Sequence, residues 1–135
     1  MKMLPRTQFD TLLIRTDFSD QAAWQALCTT VTTPNEEDCV AHVQLVDDTA
    51  YSDLSAEQLV ALAAPETFFA VADRTTLASP EKQLLVVMMT DQGHDELRVI
   101  AEELWSIENN LSVSNMDWED FVGEAEDDGV FRGFR

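Results

Sequence analysis

Thr11-Leu12-Leu13-Ile14-Arg15-Thr16-Asp17-Phe18-Ser19-Asp20 is the stretch on which the reading of the fold turns. Its first six residues are short, apolar and partly β-branched, which predicts a strand with a buried centre. Asp17 to Asp20 then turn the chain. Beyond them the apolar period changes. Trp24, Leu27, Cys28 and Val31 recur at i, i+3, i+4 and i+7, one helical face made to pack on a sheet. Ser19 or Asp17 is the expected cap of that helix, and Asp20 suits its positive end. Thr29, Thr30, Thr32 and Thr33 weaken it, and Pro34 ends it. A strand that turns directly into a sheet-packing helix opens a βαβ unit.

The same pattern continues outward. Val40 to Val46 reads as a second strand, with Val43 and Leu45 inside and Asp47-Asp48 closing it. Ser55 and Gln58 fit a capping box, and Leu54 with Leu59 fits the hydrophobic staple around it. That helix is expected to run to Ala64, before Pro65. Thr67 to Ala72 is a third strand ending at Asp73, residues 74–82 read as a loop, and Gln83 to Thr90 is a fourth strand. The turn Asp91-Gln92-Gly93-His94-Asp95 leads to a short antiparallel strand, Leu97 to Ile100. Leu104, Ile107 and Leu111 mark one helix. Trp118, Phe121, Val122 and Ala125 mark another, capped by Ser114 or Asn115, and residues 126–135 form a polar tail. The expected fold is a single α/β domain over residues 1–135 with a mixed, mostly parallel sheet: β-α-β-α-β, then a β-hairpin, then two helices.

Composition narrows the function classes. The 135 residues carry 26 Asp and Glu against 8 Lys and Arg, a formal net charge of -18. Such a surface repels nucleic-acid phosphate and anionic lipid, and attracts a basic protein or a cation. Solubility in a high-salt cell or an acidic proteome explains the same number without any partner. Only Lys2 and Lys82 are lysines, which suits that explanation too. No apolar run approaches the ~20 residues of a membrane span, and Met1 to Arg6 lacks the apolar core of a secretory signal. The expectation is a cytoplasmic chain. Cys28 and Cys39 make no disulfide framework and have no CxxC partner.

Four segments are distinctive: Leu13-Ile14-Arg15-Thr16-Asp17-Phe18-Ser19-Asp20, residues 103–112 (ELWSIENNLS), Asn115-Met116-Asp117-Trp118-Glu119-Asp120-Phe121 and residues 128–134 (DGVFRGF). Together they resemble an uncharacterised family of small domains of unknown function, found mainly in actinobacteria and some fungi. The resemblance spans nearly the whole chain and implies a stand-alone bacterial domain. It transfers no activity and no catalytic residue.

Two constellations compete for a working role. Asp17, Asp47, Asp48 and Asp73 each follow a parallel strand, the rim where open α/β sheets bind ligands. Gathered there, they suit Mg²⁺ or Ca²⁺, and with it a metal-dependent enzyme. Asp is equally at home in turns and helix caps, and no Lys or Gly-rich loop stands nearby for phosphate chemistry. The other constellation is acidic. From Val99 to Phe131 there are ten acids and no Lys or Arg. Asp117, Asp120 and Glu124 share a helix face, and Glu126, Asp127 and Asp128 follow. Such a face docks a basic protein, as immunity proteins of nucleases do, or is simply a solvated helix surface. The expectation is a non-enzymatic binding domain without a cofactor, with the metal-dependent enzyme as the alternative.

Smaller signals favour structural roles. Arg15 within an apolar strand needs a partner, and Asp17 at i+2 is the expected ion pair. His42 and His94 read as surface or structural residues. Asn109-Asn110 reads as a helix end, or as part of a polar cluster with Trp105 and Asn115. Phe131 and Phe134 are expected to fold back onto the domain.

Overall fold

The computed structural model describes residues 2–5, 10–63, 68–112 and 116–134. Its strands are β1 (Thr11–Arg15), β2 (Val43–Val46), β3 (Phe68–Ala72), β4 (Gln83–Thr90), β5 (Gly93–Ile100) and β6 (Val130–Phe131). They form one sheet in the order β2-β1-β3-β4-β5-β6. β1 runs parallel to both β2 and β3. β4 is antiparallel to β3 and to β5, and β6 is parallel to β5. Among the described residues the helices are α1 (Gln21–Thr32), α2 (Ala56–Val60), α3 (Arg74–Ala78), α4 (Leu104–Ser112) and α5 (Trp118–Gly123). The chain is thus a single α/β domain with a mixed sheet. None of its described helices is long and apolar enough to cross a membrane.

β1 is buried along its whole length, as an unbroken apolar run between two parallel neighbours requires. The two-residue side-chain period divides its contacts. Leu13 joins Ala70, Ala72, Leu84, Val86, Leu97 and Val99 under α1, α4 and α5. Leu12 and Ile14 join Phe69, Val71 and Val87 on the other face, under Tyr51, Leu59 and Leu4. From β1 the chain steps one way to β2 and back past β1 to β3. Crossovers of one hand then put α1 and α2 on opposite faces, where the two cores place them.

Several expectations need correction. α1 is capped by Asp20, which accepts from the Ala23 amide at 2.9 Å. Ser19 and Asp17 are bonded to each other in the turn before it, so neither is free to cap. β2 begins at Val43, and Leu45 is 39% exposed while Val46 is buried. The residues before it are drawn to α4 instead: Asn109 donates to the Val40 carbonyl at 3.0 Å, and the His42 amide donates to Glu108. α2 ends at Val60 and passes into a turn. Pro65, Thr67, Ser114 and Asn115 lie outside the described residues. The expected loop 74–82 contains α3, capped by Asp73 on the Thr76 amide. β5 begins at Gly93, so the hairpin turn is tight. α4 runs through Asn109 and Asn110, where a helix end was expected. α5 is capped at Asp117 rather than at Ser114 or Asn115, and Val122 on it is exposed. The tail is not free, since Val130 and Phe131 pair with Arg98 and Val99 as β6.

That last strand closes the core. Phe121, Phe131 and Phe134 form a triangle with ring centroids 5.4, 5.2 and 5.3 Å apart, and Phe131 is fully buried. Phe131→Ala is expected to lower the unfolding free energy by about 3–5 kcal/mol in urea titrations. A loss below about 1 kcal/mol, the size of a surface change, would show that β6 is not seated as described.

Candidate binding cleft and acidic surface

The β1–β3 boundary is the point at which the connections from the sheet diverge, the usual place for a ligand crevice in an open α/β sheet. A cleft of about 430 Å³ lies there, lined by Thr16, Asp17, Ser19, Asp53, Leu54, Asp73 and Arg74. The strand ends position these groups. The loop after β1 is held by Arg15, which is 2% exposed. Its Nε donates to the Asp17 carbonyl oxygen at 3.0 Å, and its Nη1 donates to Gln21 Oε1 at 2.9 Å and Asp47 Oδ1 at 3.2 Å. The guanidinium carbon lies 4.5 Å from the Phe18 ring centroid and 5.2 Å from that of Trp24. The expected ion pair with Asp17 is therefore replaced by one with Asp47. Asp17 offers Arg15 only its backbone, because its carboxylate is turned to Ser19.

The carboxylates of the cleft differ in what they have left to offer. The Ser19 hydroxyl and amide donate to Asp17 Oδ1 at 2.6 and 2.7 Å. These bonds hold the Asp17 carboxyl below its usual range against the opposing effect of burial, with Arg74 and Arg15 adding to them. Asp53 is tied through its backbone, its amide donating to the Thr16 carbonyl at 2.8 Å. Its φ of 60° is the left-handed conformation that Asp tolerates in turns. Asp73 is saturated: Arg98 grips both its oxygens at 2.9 and 2.8 Å, and the Thr76 amide and hydroxyl also donate to it. Burial alone would raise the Asp73 carboxyl, but these donors together hold it below its usual range. Arg74 has no ion pair among the described residues, although the chain holds only eight Lys and Arg.

Of the four strand-end aspartates, the cleft brings Asp17 and Asp73 together. Asp47 turns to Arg15. Asp48 pairs with Lys2 and caps the 3-10 turn at Thr49–Tyr51 through the Ala50 amide. Among the described residues no three His, Cys, Asp or Glu side chains converge as a metal would need.

The second constellation also divides. The Asp120 carboxylate accepts from the Asp117 amide at 3.0 Å at the start of α5. Glu124 and Asp127 are exposed. Glu126 and Asp128 face Arg132, which also grips Glu81. The Trp118 indole N–H donates to Asp95 Oδ2 at 2.7 Å, pinning α5 beside the β4–β5 hairpin. Asp117, Glu119 and Asp120 thereby stand beside Asp95 and the hairpin tip at Asp91, while Glu96 alternates to the opposite face of the sheet, against His94.

Two side chains went unnoticed in the sequence, Arg74 and Arg98, and Glu108, counted among the ten acids of the acidic surface, is buried instead. Glu108 is buried on α4, where its Oε1 accepts from the His42 amide and lies 3.0 Å from His42 Nδ1. It occupies the i+4 position of the apolar stripe Leu104, Ile107, Leu111, and that placement was readable.

A family model described as a domain of unknown function, DUF6924, matches residues 10–134. The chain belongs to the DUF6924 family. The match spans every strand and helix described above, so the DUF6924 domain is the whole sheet with both its helical layers. Among curated proteins no match was found.

The Asp73–Arg98 pair yields a pH test. A depressed carboxyl pKa stabilises the fold above the unfolded value of ~3.9, and the contribution is lost as pH falls through the lower folded value. Asp73→Asn is expected to destabilise by about 1–3 kcal/mol at pH 7. The difference from the unaltered chain should shrink steadily once the pH drops below ~4. Urea midpoints of both proteins across that range are the measurement; a difference independent of pH would contradict the assignment.

Proposed function

We propose that this domain works by binding, offering the acidic side formed by α5 and the β4–β5 hairpin to a basic protein surface, as an immunity or inhibitor protein does. The observation that supports this reading is the Trp118–Asp95 bond, which joins two sets of carboxylates into one surface. Residues 83–132 hold thirteen of the 26 acids and two of the eight cations. Arg98 is closed onto Asp73, Arg132 pairs with Glu126 and Asp128, and Glu108 is buried. The exposed acids that remain on α5 and the hairpin would steer a basic partner to the surface and disfavour acidic ones. A cytoplasmic, bacterial setting agrees with the two free thiols, Cys28 and Cys39.

A second reading rests on the cleft, where Arg74 has no ion pair among the described residues. It is a small ligand whose anionic group meets Arg74 while its donors meet Asp17. The metal-dependent alternative, Mg²⁺ or Ca²⁺ on Asp17, Asp47, Asp48 and Asp73, has less support. Arg98 fills both oxygens of Asp73, and Asp47 and Asp48 face other cations.

Two triple variants with the same change in net charge test the main reading. One is Asp91→Asn, Glu119→Gln and Asp120→Asn on the proposed surface. The other is Glu36→Gln, Glu37→Gln and Asp38→Asn in the loop after α1. A basic partner captured at about 0.1 M salt, where the screening length is ~10 Å, should be lost with the first triple and kept with the second. Equal loss with both would mean that net charge alone is at work and would remove the proposal.

A further inference from the structure

A second cavity lies away from both the cleft and the acidic side, between the end of α1, the loop that follows it and the start of α4. It is a groove of about 450 Å³, within the size range of small-molecule sites. Its chemistry is one-sided. Thr29, Thr30 and Thr33 line it, and each hydroxyl hydrogen is committed to a carbonyl four residues back, on Gln25, Ala26 and Thr29. Those threonines therefore present oxygen lone pairs to the groove. The Cys39 thiol is likewise directed at the Glu37 carbonyl. Asn35 spends its side-chain carbonyl on the Glu37 and Cys39 amides and keeps its nitrogen as a donor.

The opposite wall carries Glu102, Glu103 and the half-buried Trp105. Glu103 has no hydrogen bond or ion pair among the described residues. Burial, and then the neighbouring Glu102, push its carboxyl above the usual range. Its carboxylate is confined by the backbone of Gly133, where a Cβ would stand 3.1 Å from Glu103 Oε1. Two acids in the 3-10 turn just before α4 are accounted for by the positive end of that helix. That position does not account for a half-buried carboxylate that has no partner among the described residues and shares a cavity with an indole and three acceptor hydroxyls.

We propose that this groove binds a small alkylammonium ligand, its charged head between Glu103 and the Trp105 ring and its carbon chain along Val31, Val40 and Ala41. The ammonium supplies the donors that the threonine oxygens and the carboxylates lack. The indole face adds a cation–π attraction, strongest where the cation is desolvated. The aliphatic side chains of the floor cover the chain. The site is independent of the surface proposed for a basic protein.

The test uses n-butylammonium on the full chain, followed by amide and indole NMR shifts, with n-butanol as the uncharged isostere. Saturable shifts are expected at the Trp105 indole and at Thr29 and Thr30, with butanol far weaker. Glu103→Gln is expected to weaken binding about fivefold or more, and Trp105→Leu similarly. Glu124→Gln removes the same charge from an exposed position elsewhere and should leave the affinity within about twofold. Spectra of each variant verify that it is folded, and Glu103→Gln changes no volume. The proposal is overturned by shifts that never saturate, by shifts spread over the acidic surface, by butanol binding as well as butylammonium, or by Glu124→Gln weakening binding as much as Glu103→Gln.

Discussion

The buried guanidinium of Arg15 is the contact on which the upper rim of the sheet depends. A charge 2% exposed at the end of β1 persists only when its donors are used and its faces covered. Here the Asp17 carbonyl, Gln21 and Asp47 take the donors, and Phe18 and Trp24 cover the faces. Each partner lies on a different element. One side chain thus ties β1 to the turn after it, to the first residues of α1 and to the end of β2. The position of Asp17 in the cleft follows, because its backbone is fixed by Arg15 and its carboxylate by Ser19. The exposed half of the Asp47–Arg15 pair contributes little by comparison, since an ion pair open to water is screened and costs side-chain entropy to hold.

Arg98 does the equivalent work on the other side of the cleft. It reaches from β5 to Asp73 and fastens the start of α3 to the sheet. In a chain of net charge -18, four of the eight cations are consumed in this way. Lys2, Arg15, Arg98 and Arg132 each close on a carboxylate. The carboxylates left over stand on α5, on the hairpin, in the groove beside Trp105 and in the loop Glu36 to Asp38. The negative surface is therefore what remains after the fold has used its positive charges.

Much of this was readable in the sequence where the cause is local. The short apolar run of β1, the apolar stripe of α1 and the Ser55–Gln58 capping box depend on near neighbours, and all three stand in the structure. β4 was legible to the residue, because eight strand-forming residues lie between clear turns. What escaped depends on distant partners. α3 is five residues with two threonines, and its cap is shared with Arg98, 25 residues on. β6 has two residues and exists because β5 offers an edge and the core a place for Phe131. The aspartates after the strands were found as a set, but composition could not say which would be claimed by Lys2, Arg15 or Arg98. The cleft was legible as a location, but not that Arg74 would have no ion pair among the described residues.

The most direct measurement is the unfolding free energy of Arg15→Ala beside that of Asp47→Asn. If the enclosed guanidinium carries the rim, Arg15→Ala loses roughly 3 kcal/mol through the void and the acceptors left unmet. Asp47→Asn then loses less than about 1 kcal/mol, as expected for a pair with one exposed partner. Equal losses, or a near-neutral Arg15→Ala, would contradict the account.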